Sequence, residues 1–406
     1  MEQVDVLIVG GGPAGLATAE LAAPGGSVLL VHKDAEIGRP VRTSGGSWLS
    51  DVVRLELPTD LYHTMDSLVF AGPTRSASFE FSRNKPVVLD VTAAYKYLCT
   101  LAEKAGARIE LSTKLTDVYP DNDRYICELE YKRAVRRVSA RYVVDASGFQ
   151  RVVLRRTDID KKPTRYGIGA EGEFEDLSSH RNRAVLFVGS RYAPSGYGWV
   201  FPTTQGTVRV GVGLTRPDVQ AAPGKLLDDF LNSAAASDLE IRTGRCVDEH
   251  GGVVPAIGPS NHVVHGGIIA VGDSAGQVLP IVGEGIRFCI EAGRKAGSAL
   301  QAALREPTSA RNRLNDYEQW WLRAHYRQFQ LAQKINLHIT DFQDEDWDSG
   351  IGRLAMLDGE MLSTLLRVDP IPWALTRYLS RHPLTALRYI GSRTSRRIAR
   401  IVMGRQ

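Results

Sequence analysis

At the start of the chain, two apolar runs are separated by a glycine-rich turn and a stretch of small residues, which is the pattern of neighbouring strands in a parallel sheet. Residues 4–9 form a mostly apolar run that ends in glycines, and such a run predicts a strand buried on both faces. The small residues at 16–22 predict a helix, and residues 27–31 predict a second strand. Together these elements predict one βαβ unit of about 30 residues.

The same α/β pattern returns in later parts of the chain. A helix predicted at 93–105 ends at Gly106, where glycine is a favoured cap. An apolar run at 267–271 predicts a last buried strand, and it precedes a helix at 285–300. Further strands are predicted at 108–112, 125–131, 134–138 and 141–144, and further helices at 225–235 and 315–336.

The pattern changes between residues 166 and 214, where short apolar runs are separated by turn residues. The runs at 184–189, 197–202 and 207–214 each have the length of a strand. Short strands at this spacing predict an antiparallel sheet.

The composition narrows the class of protein. The chain has 406 residues, and its 50 basic and 46 acidic side chains nearly balance, which argues against a nucleic-acid-binding protein. Four scattered cysteines do not suit a disulfide scaffold or a zinc ribbon, and they favour a cytoplasmic location. The nine histidines are scattered too, so we predict no metal site. No apolar stretch of about 20 residues predicts a spanning helix.

A glycine motif follows the first strand and opens the first helix. In Gly10-x-Gly12-Pro13-Ala14-Gly15, the first glycine allows a tight turn and the second lets the backbone approach a pyrophosphate. Gly15 lets the helix pack on the strand, and the helix N-terminus then presents free N–H groups to the phosphates. This context predicts a dinucleotide site, and the alternative is a glycine-rich structural turn.

The end of the second strand carries His32 and Lys33 where the dinucleotide fingerprint expects an acidic residue. A neutral imidazole can accept a hydrogen bond from a ribose hydroxyl, and Asp34 lies two residues on. We therefore predict that His32 and Lys33 contact the cofactor. The alternative is that His32 is a surface residue at a strand end.

A second motif follows the last buried strand. Gly272 and Asp273 precede a loop and helix that contain Gly283, Gly285 and Ile286. An Asp in this place can bond the ribityl chain of a flavin, and glycines at a helix start can bring N–H groups to a pyrophosphate or to the flavin ring. Either segment alone suits an ordinary loop, but together with the first motif they predict FAD.

These segments resemble the signatures of a known superfamily. The Gly10/Gly12/Gly15 motif, the stretch 145–148 (DASG) and Gly272-Asp273 are similar to those of the aromatic-hydroxylase-like flavoprotein monooxygenases. Within that superfamily, the stretches 36–42, 196–202 and 280–286 resemble the geranylgeranyl reductase family, whose members reduce isoprenoid double bonds. The resemblance implies that Arg42 lies beside FAD and that the Leu115 backbone meets the adenine.

The chain departs from this family pattern at two places. The family has a Cys-Gly pair near the flavin, whereas this sequence has Thr43-Ser44-Gly45-Gly46. The superfamily also has an Arg that opens the helix near residue 91, whereas this sequence reads DVTA at 90–93. A hydroxyl is a far weaker acid than a thiol, so we expect Ser44 to offer a polar contact near the flavin.

Tyr197 and Trp199 are two residues apart on a predicted strand, so they share one face. The resemblance implies that this face roofs a substrate cavity over the flavin. We expect Tyr197 to donate a proton or position the substrate, and Trp199 to roof the cavity. The alternative is a pair of aromatic core residues.

The predicted fold is α/β, with a Rossmann-like FAD-binding domain, an inserted antiparallel-sheet substrate domain and a helical C-terminal tail. We expect the FAD-binding domain to be assembled from three separate segments and the substrate domain from two. The FAD-binding segments are 1–75, 90–165 and 262–305, the substrate-domain segments are 76–89 and 166–261, and the C-terminal region is 306–406.

The predicted function is an FAD-dependent reductase of carbon–carbon double bonds in an isoprenoid or lipid-like substrate. A monooxygenase or halogenase of a natural-product scaffold and a flavin-holding regulatory protein are the alternatives. The chain has no second GxGxxG motif after a strand, so we expect electrons to come from transiently bound NAD(P)H or from a redox protein.

The last forty residues predict a contact with a membrane surface. Residues 367–406 contain nine arginines and one acid, a net charge of +8, and apolar residues lie between the arginines. A basic amphipathic segment of this kind is typical of a membrane-surface binder. The alternative is a solvated helical tail packed on the FAD-binding domain.

Overall fold

The computed structural model describes residues 1–160, 162–178 and 181–369. The basic segment from residue 370 onward, which carries most of the predicted membrane contact, lies outside these residues. Within them, the chain contains no helix with the length and apolar character that a bilayer crossing demands.

The described part of the chain forms eighteen strands and eleven α-helices. The strands are β1 (Glu2–Val9), β2 (Val28–Val31), β3 (Gly46–Trp48), β4 (Tyr62–Thr64), β5 (Ser67–Ala71), β6 (Ser76–Glu80), β7 (Pro86–Leu89), β8 (Arg108–Glu110), β9 (Thr113–Asp121), β10 (Arg124–Tyr131), β11 (Ala134–Asp145), β12 (Tyr166–Asp176), β13 (Arg183–Gly189), β14 (Ala193–Pro202), β15 (Thr207–Arg216), β16 (Thr243–Pro255), β17 (Val264–His265) and β18 (Ile268–Ala270). The helices are α1 (Pro13–Ala22), α2 (Leu49–Arg54), α3 (Val91–Lys104), α4 (Val152–Arg156), α5 (Pro223–Leu231), α6 (Ala234–Asp238), α7 (Ile286–Arg305), α8 (Ala310–Ala324), α9 (Tyr326–Ile339), α10 (Asp344–Leu354) and α11 (Gly359–Leu366).

The first sheet has the parallel core that the βαβ pattern predicts. It runs in the order β17-β18-β11-β1-β2-β8, with β10 and β9 attached beyond β11. The β1–β2, β1–β11, β2–β8 and β11–β18 pairs are all parallel, and β2 and the second half of β1 are wholly buried. The carboxyl ends of these strands therefore lie at one edge, where α/β sheets bind nucleotides. The predicted Rossmann-like architecture is confirmed.

The second sheet has seven strands in the order β16-β12-β15-β14-β13-β5-β6. It is antiparallel as predicted, except that β5 pairs in parallel with β13. Strand β5 lies in the segment that we assigned to the FAD-binding domain. Its partner β13 lies more than a hundred residues further along the chain, so no local pattern reveals that the two strands pair. Strand β7, which we placed with the antiparallel sheet, instead joins β3 and β4 in a small separate sheet.

Several predicted elements differ in extent from those observed. The helix predicted at 315–336 is two helices, α8 and α9, that meet at His325, whose ring packs among aromatic side chains of both helices and of α7. The helix predicted at 225–235 stops at Leu231, and Ser233 caps a new one. The strands predicted at 134–138 and 141–144 form the single strand β11. Strand β16 was not predicted.

The C-terminal helices close one side of the second sheet. The Asp348 carboxylate in α10 accepts hydrogen bonds from Thr74 and Arg75 in the β5–β6 turn. The Glu360 carboxylate in α11 accepts from the backbone amides of Arg83 and Asn84. Both helices add apolar side chains to a core shared with the sheet, including Trp347, Ile351, Leu354, Leu362 and Leu366.

Candidate active site

A cavity of about 580 Å³ lies at the carboxyl ends of the parallel strands; we call it the cofactor cavity. All the residues predicted to bind the cofactor line it, except Gly15, which lies beneath it. These lining residues are Gly10, Gly12, Pro13, Ala14, His32, Lys33, Arg42, Leu115, Gly272, Asp273, Gly283, Gly285 and Ile286. The two glycine motifs, about 260 residues apart, therefore meet at one site.

The three glycines of the first motif have different surroundings. A Cβ on Gly10, whose φ is +120°, would collide with the Ala146 carbonyl, and a Cβ on Gly15 would collide with the Gly10 carbonyl. A Cβ on Gly12 would have no protein atom within 4 Å, so its backbone faces the open cavity. Gly12 also begins α1 without a side-chain cap, which leaves the first N–H groups of the helix for an anion. This cradle fits the pyrophosphate of FAD.

His32 lies at the cavity, but its hydrogen bonds differ from those we expected. Its Nδ1 accepts from the Gly11 amide at 3.1 Å, and its Nε2 lies 3.4 Å from an Asp34 carboxylate oxygen. Burial lowers the pKa of His32, against the influence of Asp34, which keeps the ring neutral. The acceptor nitrogen is thus already used within the turn, and the Asp34 carboxylate, on a residue that also lines the cavity, binds Arg42 at 2.9 Å.

The second motif joins the cofactor cavity to a helix N-terminus. Gly272 has a φ of +66°, and its amide donates to the Gln277 side chain at 2.6 Å. Burial raises the pKa of Asp273 from 3.8 to about 6, because the carboxylate is held away from bulk water. Gly285 caps α7, a helix of twenty residues, without a side-chain cap. Asp273 and the first amides of α7 therefore face the same space and fit a polar cofactor chain.

Asp145, in the DASG stretch at 145–148, has a structural role. Its buried carboxylate accepts hydrogen bonds from the Ser147 amide and hydroxyl, from the Leu154 amide and from the Ser274 hydroxyl. It therefore ties the end of β11 to the turn that carries Asp273.

A second cavity of about 390 Å³ adjoins the first; we call it the substrate cavity. Arg42, Thr43, Gly169, Gly252 and Gly283 are among the residues that line both. Its wall is mainly apolar, and its far side is formed by residues of the C-terminal helices. These are Ile335, Asn336, Ile339, Trp347, Leu354, Leu362, Leu365 and Leu366.

The three residues predicted to act on substrate all line the substrate cavity. Tyr197 and Trp199 lie side by side with ring centroids 5.6 Å apart, so they share a face as their spacing indicates. The Tyr197 hydroxyl donates to the Val282 carbonyl at 2.5 Å, and burial raises its pKa, with the charges of Glu284 and Glu171 adding to the effect. The Ser44 carbonyl accepts from the buried Arg209 guanidinium at 2.9 Å, which fixes the segment at the junction of the cavities.

Sequence reasoning missed a row of residues that crosses four strands of the second sheet. His250, Glu171, Gly211 and Trp199 are paired in register on β16, β12, β15 and β14. Because Gly211 has no side chain, the Trp199 indole lies across it and donates to the Glu171 carboxylate. Glycines at every second position, 167 and 169 in β12 and 211 and 213 in β15, were a local signal that one face of these strands leaves room for a large side chain.

Comparisons with known proteins agree with this geometry. Residues 3–325 match the family model described as an FAD binding domain. The chain is 26% identical over 382 residues to digeranylgeranylglycerophospholipid reductase 3 of Methanosphaera stadtmanae, covering 90% of this chain and 94% of the relative. It is 28% identical to digeranylgeranylglycerophospholipid reductase 1 of Methanococcoides burtonii, with 86% of each chain covered.

The fold also agrees with a solved structure. A geranylgeranyl bacteriochlorophyll reductase-like protein of Thermoplasma acidophilum superposes with a TM-score of 0.82 at 22% identity, covering 94% of this chain and 99% of the other. The chain therefore belongs to the FAD-binding domain family, and it is an FAD-dependent oxidoreductase, as the sequence motifs predicted.

Proposed function

We propose that this protein reduces carbon–carbon double bonds in an isoprenoid lipid. The observation that carries the proposal is the apolar substrate cavity, which opens onto the cofactor cavity at Arg42, Thr43 and Gly283 and ends among leucines of the C-terminal helices. A cavity of this kind suits a long hydrocarbon chain far better than a polar metabolite. The names of the curated relatives, which are reductases of digeranylgeranylglycerophospholipids, support the same substrate class.

Bound FAD supplies hydride to one carbon of the double bond, and the protein supplies the rest of the chemistry. Gly12 and the amides of α1 would hold the pyrophosphate, Asp273 the ribityl chain, and the Leu115 backbone the adenine. The apolar wall excludes water and aligns the double bond with the junction of the two cavities. Ser44, held by Arg209 at that junction, offers a hydroxyl to the substrate or the flavin.

Tyr197 and Trp199 form the aromatic side of the substrate cavity. The Tyr197 proton is directed at the Val282 carbonyl, and its raised pKa makes the phenol a weak acid. Positioning of the substrate is therefore the role that its geometry supports, and Trp199 forms the roof beside it.

We further propose that electrons reach FAD from transiently bound NAD(P)H or from a redox protein, because the sequence has no second dinucleotide fingerprint. We also propose that the basic segment beyond residue 369 brings the protein to an anionic membrane surface, where a lipid substrate would be found.

The test of the reaction is a product mass. FAD-loaded enzyme, chemically reduced and kept without oxygen, should convert a digeranylgeranylglycerophospholipid to products heavier by pairs of hydrogens. A product that forms only in air and is heavier by one oxygen atom would instead assign the protein to the monooxygenases. No conversion under either condition would remove this substrate class.

A further inference from the structure

The proposed reduction needs a proton as well as a hydride, and the buried pair His250–Glu171 lies at the wall of the substrate cavity. The His250 Nε2 is 2.7 Å from a Glu171 carboxylate oxygen, and the other oxygen accepts from the Trp199 indole. The side chains of His250 and Glu171 are only 6% and 3% exposed. The pair is therefore held by hydrogen bonds and is only slightly exposed to water.

The second ring nitrogen of His250 is not used by the fold. Within residues 1–160, 162–178 and 181–369, Nδ1 is buried and has no hydrogen-bond partner. Buried polar atoms are nearly always satisfied in folded proteins, so this nitrogen, on a residue that lines the substrate cavity, lacks the partner that a fold normally provides. Gly251 and Gly252, which follow His250, line both cavities, which places this histidine next to their junction.

The other polar groups of the cavity are less able to give a proton. The Tyr197 hydroxyl is bound to the Val282 carbonyl and its pKa is raised by burial. The Trp199 N–H is bound to Glu171, and the Ser44 hydroxyl is intrinsically a very weak acid. An imidazole that keeps Nε2–H on a carboxylate can carry a second proton at Nδ1 and act as a general acid.

We propose that His250 is the proton donor of the reduction and that Glu171 is the residue that positions it. The proposal rests on the reductase function. One carbon of the double bond receives a hydride from reduced FAD, which is oxidised, and the neighbouring carbon receives the proton from Nδ1. The π bond is lost and two C–H bonds form. Neutral His250 then keeps Nε2–H on Glu171 and recovers its Nδ1 proton from solvent.

The charges that face this pair set its pH dependence. Glu171 and Glu173 lie on β12, and Arg209 on β15 contacts both, at 3.9 Å from Glu171 and 3.0 Å from Glu173. Arg42 also lines the substrate cavity, but its guanidinium pairs with Asp34 at 2.9 Å. Removing the Glu171 charge therefore disfavours protonated His250, and the limb of activity that needs this proton should move to lower pH.

The experiment compares His250→Gln, Glu171→Gln and the surface control His262→Gln. His262 is a matched control because it also lies beside a glutamate, Glu318 at 3.6 Å, but is 74% exposed. Each FAD-loaded protein is reduced without oxygen and mixed with a digeranylgeranylglycerophospholipid in detergent, and flavin reoxidation and product mass are followed in a single turnover. FAD content and lipid affinity are measured on the same samples.

We expect His250→Gln to slow single turnover about 100-fold, within the range for general acid catalysis, while FAD content and lipid affinity stay unchanged. His250→Ala should regain turnover when free imidazole is added, which a merely structural histidine would not show. Glu171→Gln should displace the pH profile downwards, and His262→Gln should match the wild type.

Two failures are distinguishable. If the wild type reduces the lipid and His250→Gln reduces it at the same rate, or if imidazole restores nothing to a folded, FAD-loaded His250→Ala protein, His250 is not the donor and the reductase function stands. If the wild type itself does not reduce the lipid, the proposed function fails first.

Discussion

The buried Arg209 guanidinium joins the second sheet to residues 42–44, which lie between the two cavities. Replacing Arg209 therefore tests whether this link stabilises the fold around the site. Its Nε donates to Glu173 at 3.0 Å, and its Nη1 donates to the carbonyls of Ser44 and Leu89 at 2.9 and 3.0 Å. The side chain is 7% exposed. Arg209→Met keeps much of the volume but leaves the Glu173 charge in a nearly closed environment.

The expected cost follows from burial. Breaking a buried ion pair by removing one partner typically costs about 3–5 kcal/mol, because the remaining charge is uncompensated. The chain offers a matched control on the same sheet: Arg245 pairs with Glu175 at 3.2 Å, but the two side chains are 77% and 49% exposed. Arg245→Met should cost less than about 1 kcal/mol, because exposed pairs are well screened.

The assay is urea unfolding of the FAD-loaded proteins, followed by flavin and tryptophan fluorescence, together with FAD titration of the refolded chains. Arg209→Met should unfold at a much lower urea concentration and bind FAD more weakly, since the segment at 42–44 loses its anchor. Arg209→Lys should recover only part of the loss, because one ammonium cannot reach three acceptors at once. Equal midpoints for Arg209→Met and Arg245→Met would refute the reasoning.

Four other outcomes are expected. Gly12→Val should leave the apoprotein stable but unable to bind FAD in a titration, whereas Gly15→Val should lower the unfolding temperature, because only the latter adds atoms where protein already lies. Burial raises the pKa of Asp273 from 3.8 to about 6, so the stability of the folded protein is lost as pH rises through about 6. Asp273→Asn apoprotein should therefore gain up to about 3 kcal/mol in urea unfolding at pH 8 and less at pH 5, while binding FAD more weakly. Tyr197→Phe should slow lipid reduction with FAD still bound, and unchanged turnover would remove Tyr197 from the site. A chain ending at Asp369 should no longer sediment with anionic liposomes at low salt, and equal binding would exclude the basic segment as the anchor.

Local signals explain which parts of the fold could be predicted from sequence. The β1–α1–β2 unit was predictable because an apolar run, a glycine turn and a helix of small residues follow one another within 31 residues. Strand β16 was missed because its residues alternate between partial and full exposure almost to its end, so it has few apolar positions. The parallel pairing of β5 with β13 depends on contacts between distant segments, which no window of sequence contains.

The residues of the site also divide into those that a local motif predicts and those that only the folded sheet brings together. That the glycines and Asp273 meet at one cavity was predictable, because each motif is short and follows a buried strand of the same sheet. The bond between His250 and Glu171 joins residues 79 positions apart, and only the register of β12 and β16 brings them together. The hydrogen bond that His32 Nδ1 accepts from the Gly11 amide could not be predicted for a related reason, because it depends on how the turn closes; contact of His32 with the cofactor stays a prediction.

The side of the second sheet that faces the substrate cavity is shaped as much by missing side chains as by those present. Gly211 and Gly213 leave room for the Trp199 indole, and a Cβ at Gly211 would lie 2.8 Å from its Nε1. Leucines of α10 and α11 close the opposite side. A flavin-binding fold can host many reactions, so the reaction must be decided by this surface rather than by the cofactor cradle. Substitutions at these glycines or leucines should therefore alter which chain lengths are reduced before they alter FAD binding.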